Sequence, residues 1–251
     1  MSAIYIMWLR QIKRYLRSRS RIIGALGQPI LYLLALGYGF GQVFKAAGQG
    51  NYIEFLAPGI IGMSVLFTSM FNGVEMIWDR QFGFLKETMV APVSRLNVML
   101  GRIAGGATVA TIQGIIVFVL AFAGGFRLHT ANPIGVTLLA IVFMFLIALL
   151  FTTLGTAIAA MLTDFQGFQL IMSFVVMPVY FLSGAIFPLT NLPKALEIIT
   201  RIDPLTYGVD ALRGVLINGG HFSLWMDFGI LVGLGVILIA ICSYLFSLIE
   251  I

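Results

Sequence analysis

Six stretches of this chain contain no Asp, Glu, Lys or Arg: residues 22–44, 55–74, 103–126, 128–163, 165–193 and 228–249. Each is at least 20 residues long, the length an α-helix needs to cross roughly 30 Å of hydrocarbon. In lipid every backbone N–H and C=O must be satisfied inside the protein, which makes helices the spanning solution for such segments. The tract 128–193 is broken only by Asp164. A carboxylate held at mid-span costs roughly 2.5–3.5 kcal/mol, so 163–169 (TDFQGFQ) reads as a polar turn between two spans. A soluble fold is excluded: 60% of the residues are hydrophobic and 10% charged, where soluble domains carry about 25% charged residues. The predicted fold class is all-α, a polytopic membrane protein forming one domain over 1–251. Its spans are placed at 22–44, 55–75, 101–126, 134–162, 166–188 and 226–249.

Basic residues orient the spans. Arg10, Lys13, Arg14, Arg17, Arg19 and Arg21 precede the first, and Arg80, Lys86, Arg95 and Arg102 lie between the second and third. The alternate loops hold Lys45, Arg127, Lys194, Arg201 and Arg213. The positive-inside rule therefore places both termini and the 76–100 loop in the cytoplasm. The net charge of +5 is a topology signal and not a nucleic-acid footprint. The first apolar run is too long for the h-region of a cleaved signal peptide.

Several chemistries lack their residues. There is no G-x-x-x-x-G-K-[ST] loop, no H-E-x-x-H and no Ser/His pairing, and Cys242 stands alone, so neither a nucleotide nor a metal site is expected. The charge-free windows hold no carboxylate or cation of the kind ion-coupled carriers use. His129 and His221 fall near span ends and read as interfacial.

The segments between windows are more informative. In 1–21, Ile4, Trp8, Ile12, Tyr15 and Leu16 share one helical face, while Arg10, Arg14, Arg17 and Arg21 share another. Such a helix can lie in the headgroup plane with its arginines toward anionic lipid; it either anchors the topology or also touches a cytoplasmic partner. The loop 76–100 mixes charges with Phe82, Phe84 and Leu85, which suits either a helix entering a partner's groove or an interfacial belt. In 189–222 one helix is predicted from Asn191 and Pro193, with Leu192, Ala195, Leu196, Ile199 and Ile202 on a stripe and Glu197 paired to Arg201. Asp203 caps a second, with Pro204 in its first turn and Leu205, Val209, Leu212 and Leu216 as its apolar face. Asp210 and Arg213, at i and i+3, are expected to neutralise each other. The pair forms a re-entrant hairpin or a folded outer cap. Pro29 and Pro178 invite kinks, and Gly37-x-x-x-Gly41, Gly101-x-x-x-Gly105 and Gly229-x-x-x-Gly233 allow close helix contact. Phe67, Met70 and Phe71 in span two, with Phe174, Met177, Tyr180 and Phe181 in span five, are candidates for a greasy path.

Four segments carry a resemblance: DPLTYGVDALRGVLING (203–219), FLSGAIFPLTNLPKALEII (181–199), DRQFGFLKETMVAPVSRLNVMLGR (79–102) and LAPGIIGM (56–63). Together they resemble the membrane subunits of type-2 ATP-binding-cassette (ABC) exporters, the drug-resistance and nodulation-type permeases, over nearly the whole chain. The resemblance implies a six-span permease of a prokaryotic cytoplasmic (inner) membrane that pairs into a homodimer and docks two separate ATPase subunits. ATP and Mg would then sit on the partner, with no cofactor, metal or catalytic residue on this chain. A coupling helix would fall at about 79–89, with Asp79, Arg80, Phe82, Phe84, Lys86 and Glu87 as its contact residues. The helix 4–21 would border the ATPase. The outer hairpin 192–217 would carry the signature Pro204, Tyr207, Asp210 and Arg213. The implied activity is export of a lipophilic compound or lipid-linked molecule; alternatives are a polysaccharide or glycolipid exporter of the same family, or an ion-coupled carrier. The short N-terminal segment departs from the polysaccharide-export branch, whose counterpart is more elaborate.

Overall fold

Most helix starts follow from a polar side chain that takes up a first-turn N–H. The computed structural model describes residues 2–46, 51–84, 93–128, 130, 132–162, 164–189 and 193–248. Ser2 caps α1 (Ala3–Arg17), Asn51 caps α3 (Tyr52–Gln81) and Ser94 caps α4 (Arg95–Ala123). Between them α2 (Arg19–Ala46) follows α1 after a single residue. Asn132 caps α5 (Pro133–Met161), whose proline occupies the first turn where its missing N–H is not needed. Asp164 accepts the Gly167 N–H at 2.7 Å and opens the next span, as the polar-turn reading requires. That span is α6 (Phe165–Ile171), a π-helical turn (Met172–Val176) and α7 (Met177–Leu182). The chain continues through α8 (Lys194–Ile202), α9 (Pro204–Ile217) and α10 (Leu224–Ser247). Among the described residues every element is helical, and six helices are long and apolar enough to cross a membrane.

The hub is α3, which packs against α2, α4, α5 and α9; 83% of its apolar window is buried. Its approach to α5 needs small residues at one crossing, where a Cβ on Gly73 would collide with the Gly155 carbonyl. Gly59, in the LAPGIIGM segment, is held equally close to the backbone of Ala185, which fixes the turn after α7 against the hub. The two expected kinks differ. α2 runs through Pro29 unbroken, whereas Pro178 follows directly on the π turn, a wider coil that relieves the clash and the lost hydrogen bond of a mid-helix proline.

One end of the bundle gathers α1, the end of α3, the start of α4 and the end of α10. There Arg95 donates to the Ser247 carbonyl at 2.8 Å. The opposite end carries α8 and α9. α9 packs among α3, α5 and α10 and buries nearly its whole circumference, Thr206, Asp210 and Arg213 included, and not only the apolar stripe read from the sequence. The 76–100 segment is also less loop than expected: α3 continues to Gln81 and α4 begins at Arg95.

Candidate functional site

At the arginine-rich end two carboxylates one turn apart on α3, Glu75 and Asp79, are both buried. Asp79 pairs with Arg10 at 3.2 Å, with Arg14 at 3.6 Å and with Arg102 of α4; Glu75 pairs with Arg14 at 3.5 Å and with Arg21 of α2. Arg21 also donates to the Asn72 side-chain oxygen at 3.0 Å. This corrects two expectations. Glu75, Asp79 and Arg102 are buried charges on the spanning helices; the placed spans took in Glu75 and Arg102 only at their ends and left Asp79 to the loop, and the burial of all three went unread. Arg10, Arg14 and Arg21 face these carboxylates, not lipid: a paired guanidinium keeps its charge compensated while the helix packs.

That packing fixes α1 in place. A Cβ on Gly101 would lie 2.7 Å from the Ile4 carbonyl oxygen, and one on Gly105 2.7 Å from the Gln11 Cβ. The Gly101-x-x-x-Gly105 motif therefore seats α1 along α4. The Trp8 indole N–H donates to the Thr108 hydroxyl at 3.1 Å, and the Tyr15 hydroxyl donates to Gln113. Burial pushes the Tyr15 phenol above its ordinary pKa, so it remains a donor. Of the other two glycine motifs, Gly37 alone has a close neighbour, Ile53; Gly41, Gly229 and Gly233 face open space.

The expected coupling residues divide. Asp79 is enclosed by arginines, and Arg80 donates at 3.1 Å to the Ala160 and Leu162 carbonyls, capping the end of α5. Phe82, just past the end of α3, is 83% exposed. Gly83 follows at φ 80°, a left-handed turn suited to glycine. Phe84 lies under the Arg10 guanidinium, 3.7 Å from it. Lys86 and Glu87 lie outside the described residues.

Above the cluster a cleft of about 500 Å³ opens between α2, α3 and the start of α6. Phe67 and Phe71 line it, with Trp78 stacked on Phe165 at 6.4 Å between ring centres. The other proposed path residues are scattered. Met70 is fully buried beside Gly155, Tyr180 is buried with its ring 6.1 Å from Phe67, and Phe174 is 76% exposed. Met177 is half-buried. Sequence reading missed the cleft's polar wall of Ser64, Thr68 and Glu75, although its signal was present: these three recur with Asn72 and Asp79 at helical spacing along α3.

At the opposite end the signature residues act on backbone. Pro204 opens α9, and the Asp203 carboxylate accepts the Leu205 N–H at 2.8 Å. The Tyr207 hydroxyl donates to the Arg201 carbonyl at 2.7 Å. Asp210 accepts the N–H groups of His221 and Phe222, at 2.7 Å each, and Arg213 donates to the Gly184 carbonyl at 2.9 Å with its guanidinium 4.0 Å over the Phe55 ring. Asp210 favours the charged form of Arg213 through space, while the hydrogen bonds of both go to backbone groups of the flanking turns, which need partners once buried. Burial lowers Arg213 to about 10, still charged at neutral pH. Glu197 and Arg201 pair at 2.8 Å as expected, while Asn191 and Leu192 lie outside the described residues.

Six helices long and apolar enough to cross a membrane, with a buried charged clamp at one end and a folded helix pair at the other, make this a polytopic membrane protein. The family model for ABC-2 type transporters matches residues 2–217, and the chain belongs to that family. Nodulation protein J of Rhizobium leguminosarum bv. trifolii is 29% identical over 219 residues, covering 86% of this chain and 79% of that protein. The inner membrane transport permease YadH of Escherichia coli (strain K12) is 26% identical over 254 residues, covering 99% and 94%. A putative transport permease, ycf38 of Cyanophora paradoxa, is 27% identical over 213 residues, covering 84% and 72%. The chain is therefore the multi-pass membrane subunit of an ABC transporter and not an enzyme, and membership implies pairing with an ABC ATPase subunit.

Proposed function

We propose that this chain is the permease half of an exporter that moves a lipophilic compound or lipid-linked molecule outward across a prokaryotic inner membrane. Two copies pair, and ATP with Mg is bound and hydrolysed on separate ATPase subunits. Both termini and the clamp lie in the cytoplasm, in keeping with the excess of Lys and Arg at that end. The observation that carries this reading is the clamp itself. The docking segment starts at exposed Phe82, one helical turn beyond Asp79, and Asp79 with Glu75 holds α1, α2 and α4. A pull on that segment is delivered to three helices at once, α2 among them, which forms one wall of the cleft. ATP-driven closure of the partners then shifts the bundle between two packings that differ in affinity for cargo.

Alanine at Phe82 and Phe84, or charge reversal at Lys86 and Glu87, is expected to reduce ATPase co-purification and export by about tenfold or more, the loss that removing an anchor residue from an interface produces. Export and co-purification equal to the parent would overturn the docking assignment. Transport in proteoliposomes driven by an ion gradient alone, without ATPase, would favour the ion-coupled alternative.

A further inference from the structure

The cleft joins two walls of opposite character. Met63, Phe67 and Phe71 make one apolar, while Ser64, Thr68 and Glu75 of the α3 stripe make the other polar. The Ser64 hydroxyl is buried and has no hydrogen-bond partner. From Ser64 to Glu75 the stripe runs about 16 Å at the α-helical rise.

Charge is unbalanced at the cytoplasmic foot of this cleft. Among the described residues four arginines, Arg10, Arg14, Arg21 and Arg102, meet two carboxylates, Glu75 and Asp79. Asp79 is occupied by Arg10, Arg14 and Arg102, whereas Glu75 is shared by Arg14 and Arg21. Arg21 is the cluster arginine that lines the cleft. If Arg21 turned to an incoming anion, Glu75 would keep Arg14. A guanidinium set partly out of water favours a carboxylate or phosphate that it can grip with two N–H groups.

Resting on the export reading above, we propose that the cleft is the cargo's way in and that it selects amphiphiles with an anionic headgroup, the charge held by Arg21 and the apolar chain laid along Phe67 and Phe71. Hydroxyls near the headgroup would meet Thr68 and Ser64. Neutral lipophiles are then poor occupants, because they leave the surplus cationic charge uncompensated.

The test uses the full chain in nanodiscs with Trp8→Phe and Trp225→Phe, which leaves Trp78 at the cleft as the single indole. Brominated phosphatidylglycerol and brominated phosphatidylcholine are compared at equal mole fraction as quenchers. The anionic lipid is expected to quench with at least about tenfold higher apparent affinity, the lower end of what one charge-assisted hydrogen bond contributes. Arg21→Gln removes the preference, Arg21→Lys keeps most of it, and Glu75→Gln, which frees Arg21, raises it. Equal quenching by the two lipids, or a preference that survives Arg21→Gln, overturns headgroup selection while leaving the cleft as a route. Absence of quenching by either lipid overturns the route as well. Should the double-tryptophan variant not fold, native mass spectrometry of the parent and Arg21→Gln proteins supplies the second measurement. Loss of retained phosphatidylglycerol in the variant supports the proposal, and equal retention overturns it.

Discussion

At the scale of single residues, Tyr207, Asp210 and Arg213 of α9 are committed to backbone, and Asp203 shows what a buried polar group at the same end entails. Its carboxylate is buried at the start of α9, and burial raises its pKa from 3.8 to about 7, offset in part by the hydrogen bond it accepts from the Leu205 N–H. The folded state thus holds a proton that the unfolded chain releases. Stability from this group is complete below about pH 4 and is lost as pH rises through about 7. The melting temperature of the detergent-solubilised protein is expected to fall between pH 5 and pH 8, and Asp203→Asn, which keeps a capping oxygen without the charge, should flatten that slope. An unchanged slope in the variant would remove Asp203 as its source.

At the scale of elements, α1 depends on α4 for its place. Gly105→Val puts three carbons where the Gln11 side chain now sits and should lift α1 from its seat. Amide hydrogen exchange would rise across 3–17 while α3 and α5 stay protected; unchanged protection of 3–17 would contradict the glycine seat. The 3.6-residue pattern of 1–21 made this helix legible, since periodicity fixes a face. It could not name the neighbour of that face. The carboxylates facing Arg10 and Arg14 lie over sixty positions away; Asp79 falls in the expected loop and Glu75 at the last residue of an expected span, with nothing in the sequence to show that either is buried. The same limit hid Arg213, whose partners are the carbonyls of Gly184 and Phe55 and carry no side-chain signal.

At the scale of the whole molecule, six charge-free windows made the spans legible because lipid permits so few alternatives. Assembly was less so, since a face that is apolar for lipid and one that is apolar for a second copy look alike. The structure narrows the choice. The outer faces of α2 and of residues 165–182 are the least buried along with α10, and Gly24, Gly27, Gly39 and Gly41 of α2, like Gly229, Gly233 and Gly235 of α10, have no neighbour within 4 Å. Pairing through α2 and span five predicts that single cysteines at Gly27 or Phe174, in a Cys242→Ala background, cross-link two copies on oxidation in membranes. A cysteine at Ile237 of α10, 55% exposed, should not. The reverse pattern would place the partner on α10.

The seat of α1 also has a consequence in time. Trp8 and its acceptor Thr108 are 100 residues apart, and synthesis at about 5–20 residues per second separates their emergence by roughly 5–20 s. Through that interval the first helix has neither its glycine saddle nor, at first, the carboxylates of α3, and its arginines are free to hold the nascent chain at the membrane surface. Anchor and packed strut are successive occupations of one segment: it guards the topology while the bundle is being made, and is locked in only when the third span arrives.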